Sequence, residues 1–185
     1  MLIQILAFLL QTAFFVLIAG ALLRAWMNWL RVSMAGQPGT FVMALTDWLV
    51  KPLRRALPVS WMKARLDRAS VLAAVILALC YAVLTALLFG LLGGLDDRSG
   101  EVWLLLPLVA VKMLLRVALQ TLFMLVLGYA ILSWVQPGSR AYVLLARLTE
   151  PMLAPLQRVI PTIGGIDLSA LVLLVVLQIG MMVLV

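Results

Sequence analysis

The sequence predicts an all-α membrane protein with four transmembrane helices that arise from a tandem, parallel duplication. Of its 185 residues, 66% are hydrophobic and only 11% are charged, whereas a soluble domain is about half apolar and a quarter charged. The apolar residues stand in blocks of about 20, the length that crosses a bilayer. One stretch also occurs twice, as LTDWLVKPLRRALP from Leu45 and as LTEPMLAPLQRVIP from Leu148.

The apolar blocks place the first span at 2–23, the second at 69–92 and the fourth at 168–185. The block 102–135 is too long for one crossing, because such a helix extends about 50 Å against about 30 Å of hydrocarbon. The third span is therefore expected from residue 111, with 102–110 as an interfacial lead-in segment.

The duplication gives the domain organisation. The first unit is expected at 1–95 and the second at 111–185, with an outer loop and the lead-in segment at 96–110. Each unit holds two spans and, between them, an interfacial amphipathic segment, at 38–58 in the first unit and 137–161 in the second. Units with an even number of spans face the same way across the membrane, as parallel repeats do.

Lysine and arginine counts predict the orientation. The loops that join the spans within each unit hold eight and three of these residues, against three on the other side of the membrane. Cationic loops stay cytoplasmic, so both termini are expected outside. The protein is predicted to lie in a bacterial cytoplasmic membrane, with its net charge of +7 facing anionic lipid headgroups rather than nucleic acid.

The repeated stretch predicts a kinked segment at the cytoplasmic headgroup layer. Phe41, Leu45, Trp48 and Leu49 fall on one helical stripe, and Pro52 is expected to kink or end the helix. Two interpretations follow: an anchor that sets the depth of the next span, or a docking site for a partner or a specific lipid. The candidate docking residues are Lys51, Arg54, Arg55 and Arg158.

Asp67 and Asp167 precede the second and fourth spans. An aspartate there accepts backbone N–H bonds at a helix start and suits the positive end of the helix dipole. The rival interpretation is a cation or proton site, because ionisable groups beside spans are often functional. Arg24 is a candidate ion-pair partner for one of these two acids.

Polar pairs recur near the middle of the first and third spans, as Gln11-Thr12 and Gln120-Thr121. They are interpreted either as a hydrogen-bonded clasp between the two related helices, which contributes about 0.6–2 kcal/mol, or as the lining of an ion or water path. The sequence holds no histidine and one cysteine. This excludes Ser–His–Asp and Cys–His catalysis and predicts no cofactor, no metal and no enzymatic activity.

The second repeat carries a family motif that runs Thr149-Glu150-Pro151, then Pro155, Arg158, Pro161, Gly164, Asp167 and Ser169. In this and in its duplication the chain resembles the YggT family of bacterial membrane proteins. The first repeat departs from the motif at Trp48, which stands where the family has its early proline. The resemblance implies an integral membrane protein linked to osmotic or salt stress, to division or to membrane-complex biogenesis, with no accepted catalytic residue.

Two functions of different class are therefore expected. The first is a non-enzymatic scaffold or assembly factor that binds a membrane-protein partner. The alternative is a small oligomeric channel or transporter for a cation, in which a homo-oligomer completes the path, since four spans enclose little space by themselves.

Overall fold

The computed structural model describes residues 1–34, 36, 38–57, 67–93, 99–158 and 168–184. Within these ranges the chain is all-helical, as the sequence predicts. The helices are α1 (Leu2–Trp29), α2 (Gly39–Ala56), α3 (Arg68–Gly93), α4 (Ser99–Val135), α5 (Arg140–Gln157) and α6 (Leu168–Leu184).

Three helices of the described ranges are long and apolar enough to cross a membrane, at Leu2–Trp29, Arg68–Gly90 and Leu104–Val135. The helix α6 is apolar too, but its 17 residues extend only about 25 Å. A fourth crossing is therefore not established by length and composition alone.

The helix α4 is longer than predicted. The expected lead-in segment 102–110 is part of one continuous helix of 37 residues, which runs through Pro107. Pro52, Pro151 and Pro155 likewise lie inside α2 and α5. Of the two outcomes expected at Pro52, a kink or a helix end, the helix end is wrong. A proline removes one intrahelical hydrogen bond, whereas ending a helix in apolar surroundings leaves several backbone groups without partners.

The chain divides into two compact units, which are called the first and the second unit from here on. The first unit comprises residues 1–117. Its core is rich in alanine, which lets helix backbones approach closely where no side chain intervenes. The helices α1 and α3 share the most extensive contact, and α2 packs on both. The buried core residues include Ile18, Ala21, Val50, Ala69, Ala73, Ala74, Leu77, Ala78 and Ala82.

The second unit comprises residues 118–185 and is built from the later part of α4 with α5 and α6. Its core uses larger side chains, and the Tyr129 ring stacks on Tyr142 with centroids 5.5 Å apart. The buried core residues are Val126, Tyr129, Ala130, Leu153, Ala170, Leu173 and Leu177.

The two turns that lead into α2 and α5 differ. After α1, Arg31 adopts a left-handed conformation with φ 55°, and the bonds from Arg31 N to Asn28 O and from Val32 N to Met27 O close the helix end. This is a Schellman motif, which usually has glycine at that position. After α4, Gly138 takes the left-handed conformation and the Ser139 hydroxyl caps α5 by accepting from Tyr142 N.

The outward faces of the long helices are apolar. On α1, Leu2, Ile5, Phe8 and Leu9 are all more than half exposed. Residues of α6 such as Met182 and Val183 are about four-fifths exposed. Continuous exposed apolar surface of this kind is unfavourable in water, and acyl chains would cover it in a bilayer. The helices thus have the surface of a membrane protein.

Candidate functional site

The helix α2 carries the candidate site, and the residues that it buries lie beside the predicted apolar stripe. Val42, Thr46 and Val50 are buried, whereas Phe41 and Trp48 of the predicted stripe are exposed. The sequence reading assigned a single apolar face to a helix that has two. One face of α2 packs on α1 and α3, and the other face is exposed.

A close approach of α1 brings α2 into place. Gly20 is buried, and a Cβ atom there would lie 2.9 Å from Leu45 Cδ2 and 3.4 Å from Thr46 Cγ2. Glycine suits this close approach, because a larger side chain would require the side chains of Leu45 and Thr46 to shift.

Next to this contact, Arg24 of α1 reaches α2. Its Nη1 donates to Thr46 Oγ1 at 2.9 Å and lies 2.8 Å from Asp47 Oδ1. The Thr46 hydroxyl in turn donates to the Val42 carbonyl at 2.7 Å. Only 6% of the Arg24 side chain is exposed, so its charge depends on these partners.

Asp47 is shared between two cations. Lys51 Nζ lies 2.8 Å from Asp47 Oδ2, one helical turn further along α2. The hydrogen bond from Lys51 is the largest cause that lowers the pKa of Asp47 below its ordinary value of 3.8; the hydrogen bond from Arg24 adds to this effect, and burial opposes it. Asp47 is therefore ionised at neutral pH and joins a buried cation to an exposed one.

A second ion pair joins α2 to α3. Arg54 Nη2 donates to Asp67 Oδ2, which also accepts from the Ser70 hydroxyl at 2.8 Å. Asp67 stands directly before α3, and its carbonyl accepts from Ser70 N and Val71 N. The carboxylate is thus buried at a helix start, where the helix dipole also favours negative charge.

We refer to these two groups together as the α2 clamp. The clamp ties one surface helix to both of the long helices on which it packs, and each ion pair has one largely buried partner, Arg24 in the first and Asp67 in the second. Buried pairs of this kind add little net stability compared with apolar packing, but removing one partner is costly. The members of the clamp are Arg24, Thr46, Asp47, Lys51, Arg54, Asp67 and Ser70.

The structure places the predicted ion-pair residues differently from the sequence reading. Arg24 was expected to pair with Asp67 or Asp167; it pairs with Asp47, because α2 lies directly against α1. Asp67 pairs with Arg54 instead. Asp167 lies outside the described residues.

The structure also divides the predicted docking cluster. Arg54 is engaged by the buried Asp67, whereas 67% of the Lys51 side chain is exposed. Arg55 is exposed and has no ion-pair or hydrogen-bond partner among the residues that the structure describes. Arg158, in the second unit, is exposed directly after α5.

The polar pairs of the first and third spans fall in separate units. The Thr12 hydroxyl donates to the Phe8 carbonyl at 2.8 Å, within its own helix. Gln11 and Gln120 are both half-buried, as is Thr121. A clasp between the two pairs stays a prediction.

Sequence reasoning missed the roles of Thr46, Asp47 and Ser70. A signal for the first two was present, since Thr46-Asp47 returns as Thr149-Glu150 in the repeated stretch. Side chains that hold two helices together need a fixed spacing within the stretch that carries them, as these two have. Their partner Arg24 lies on another helix, and no spacing in the sequence links it to them.

The residues of the candidate site join α2 to α1 and α3 through ion pairs and hydrogen bonds. A crevice beside Thr46, lined by apolar residues such as Leu17, Leu49 and Leu77, is too tight to admit a water molecule. Among the described residues, no three His, Cys, Asp or Glu side chains come together as metal ligands would.

Comparisons with known proteins identify the family to which the chain is similar. The family model described as CCB3/YggT matches residues 3–88 and 108–185. The uncharacterised protein of the proC 3′ region of Vibrio alginolyticus is 36% identical over 93% of this chain and 89% of its own length. The uncharacterised protein YggT of Escherichia coli K12 is 33% identical over 94% of this chain and 86% of its own length. No solved structure matches the chain.

Proposed function

The chain belongs to the CCB3/YggT family, and we propose that it is a non-enzymatic scaffold or assembly factor of a bacterial cytoplasmic membrane. In this role it holds a membrane-protein partner in place during osmotic or salt stress, or during division and membrane-complex biogenesis. The partner is a second membrane protein, which contacts the surface helix α2 and the exposed apolar helices within the bilayer.

The architecture that we propose for this role has four spans, from a tandem duplication, with both termini outside. Two stretches of the chain match the family model, one in each half, which supports the duplication. The helix α6 would be the fourth span, with its 17 residues only slightly short of the roughly 20 that a typical bilayer needs. The excess of cations in the two intra-unit loops supports the orientation.

The observation that carries the proposal is the α2 clamp. Ion pairs to α1 and α3 hold the surface helix α2 in one orientation. The apolar crevice beside Thr46 is too tight to admit a water molecule, so it offers no ligand site. A surface that is fixed in orientation contributes to binding because less conformational freedom is lost when a partner arrives. A transport path through the first unit by itself would instead need a polar lining, and the interior packing of this unit is apolar.

The test is the composition of the particle that mild detergent releases from the native membrane. We expect a defined complex of this chain with a second membrane protein, and we expect Asp47→Ala to reduce its yield several-fold by loosening α2. The matched control is Glu150→Ala, the same change at the corresponding position of the second unit. A chain that is released alone would overturn the proposal. A pure homo-oligomer would also overturn it, and would direct the work to ion-flux assays for the channel alternative.

A further inference from the structure

We propose that the free face of α2 is a binding site for the headgroup of an anionic phospholipid. In this site Lys51 and Arg55 contact the phosphate, and Trp48 and Phe41 lie beside the upper acyl chains. The proposal concerns the lipid around the protein and does not depend on the scaffold role.

The ion pairs of the clamp determine which cations are available. Arg24 is buried and Arg54 donates to the buried Asp67, so neither can turn to a lipid without giving up its ion pair. Lys51 is mostly exposed and uses one carboxylate oxygen of Asp47. Arg55 is exposed, with no partner among the described residues. Two cations, Lys51 and Arg55, therefore remain available on the free face of α2.

These two cations share a face. Lys51 and Arg55 are four residues apart on a continuous helix, and residues at this spacing lie one above the other at about 5–6 Å. An ammonium and a guanidinium at this distance suit the oxygens of a single phosphate, which accepts charge-assisted hydrogen bonds from both.

The aromatic side chains point to a membrane lipid as the source of that phosphate. Phe41 is 64% exposed and Trp48 is 60% exposed, on the same side of α2 as the two cations. Tryptophan prefers the headgroup level of a bilayer, where its ring contacts apolar groups. The Trp48 Nε1 atom donates to the Leu45 carbonyl at 2.9 Å, so the indole lies along the helix and its polar atom is satisfied.

The net positive charge of α2 indicates that the bound headgroup is negatively charged. Asp47 is the sole acid of α2, whose residues are all described, and it stands against three cations. Because Arg24 already neutralises Asp47 from the buried side, Lys51 keeps a positive charge that a single carboxylate would otherwise cancel. Anionic lipid surfaces attract basic clusters of this kind, and a zwitterionic headgroup gains much less from them.

The experiment measures lipid binding by the purified full chain. Phosphatidylglycerol or phosphatidylcholine is titrated into the detergent-solubilised protein, and native mass spectrometry counts the lipids bound. We expect preference for phosphatidylglycerol, and we expect Lys51→Ala with Arg55→Ala to weaken its binding roughly tenfold to thirtyfold. Lys51→Arg with Arg55→Lys, which keeps both charges, should bind within about threefold of the wild type.

The matched control removes two exposed cations from the second unit, by Arg140→Ala with Arg147→Ala. This variant carries the same loss of charge and should bind phosphatidylglycerol within about threefold of the wild type. Equal losses in the two double variants would overturn the proposal, since binding would then follow net charge alone. Unchanged binding in the α2 variant would also overturn it.

A single variant keeps the test decisive if the α2 double variant fails to fold. Arg55→Ala breaks no ion pair among the described residues, so we expect it to retain the wild-type melting temperature in phosphatidylcholine. It should still lose about fivefold in phosphatidylglycerol binding. Binding that is unchanged in this folded variant would exclude Arg55 from the site and overturn the proposal.

Discussion

Helix α2 of the first unit and helix α5 of the second carry nearly the same repeated stretch, and they are attached by different forces. Both have a buried threonine whose hydroxyl donates to the carbonyl four residues earlier, from Thr46 to Val42 and from Thr149 to Leu145. Both meet a glycine of a long helix, Gly20 in the first unit. In the second unit, Gly128 lies against Leu145.

The difference is in the charges. When Gly20 is aligned with Gly128 and Trp26 with Trp134, the position of Arg24 is taken by Leu132. Ala154 and Gln157 likewise stand where α2 has Lys51 and Arg54. Glu150, which corresponds to Asp47, is exposed. Among the residues that the structure describes, no ion pair joins α5 to the rest of the second unit, and its contacts include apolar packing and the Tyr129–Tyr142 stack.

The comparison teaches that the amphipathic helix and its ion pairs are separable. In both units apolar residues at helical spacing pack such a helix with a glycine opposite. The ion pairs fix it in addition and leave two cations on its free face. The four predictions that follow compare the units, from the largest expected effect to the smallest.

The largest difference is expected between Asp47→Ala and Glu150→Ala. Loss of Asp47 leaves the buried Arg24 without its counter-charge, which should lower the free energy of unfolding by about 2–3 kcal/mol, less than for a fully buried pair. Loss of the exposed Glu150 should change it by less than about 0.5 kcal/mol. Equilibrium unfolding in mixed micelles measures both, and equal effects would mean that the units are held in the same way.

The close helix contacts should differ as well. Gly20→Val places branched carbons against Leu45 and Thr46, and overpacking of this kind costs about 1–3 kcal/mol of unfolding free energy. Gly128→Val should cost less than about 1 kcal/mol, because Gly128 is only half-buried and a Cβ there would lie 3.1 Å from one flexible atom, Leu145 Cδ1. The same unfolding experiment ranks them, and a larger loss at Gly128 would contradict the comparison.

The two turns should respond in opposite directions. Arg31→Gly relieves a left-handed conformation that costs an L-residue roughly 1–2 kcal/mol, so we expect a gain of about 1 kcal/mol in unfolding free energy after the added entropy of glycine. Gly138→Ala introduces the same strain after α4 and should lose about 1 kcal/mol. The melting temperature of each variant in detergent measures both effects. If both melting temperatures shifted in the same direction, the left-handed conformation could not be the cause at both positions.

The smallest effect depends on pH. Because the folded state lowers the pKa of Asp47, its contribution to stability is complete above the ordinary pKa of 3.8 and declines as the pH falls through the lowered value. The stability difference between wild type and Asp47→Ala should therefore be constant from pH 7 to pH 5 and should narrow only below about pH 3.8. For Glu150→Ala the difference should stay small throughout. A difference at Asp47 that narrows near pH 6 would assign the titration to another group.

Much of the fold could be predicted from the sequence. The beginnings of α1, α3 and α6 follow from where the apolar blocks begin, since burial in lipid requires the helical backbone throughout such a block. The surface helix follows from its amphipathic pattern. The continuity of α4 was not predicted, because a helix of about 50 Å exceeds the hydrocarbon thickness and the first part of the block was therefore assigned to the interface.

Less of the candidate site could be predicted. Lys51, Arg54 and Arg55 were recognised as a group. Which of them is engaged depends on where Asp67 lies: Arg54 pairs with it, whereas Lys51 and Arg55 stay on the surface. Arg24 was recognised as a candidate ion-pair residue, but Asp47, the acid that it meets, was not among its candidate partners. Both cases concern partners that are 13 or more residues apart in the chain.

The sequence by itself determined the class, the family and the apolar helices, because these depend on composition and on spacing within single segments. Only the tertiary structure decided which carboxylate each arginine meets and which face of α2 remains free. The physical reason is the range of the forces. Helix formation and transfer into lipid act on neighbouring residues, whereas an ion pair forms between whichever charges the packing of α1, α2 and α3 brings within about 4 Å.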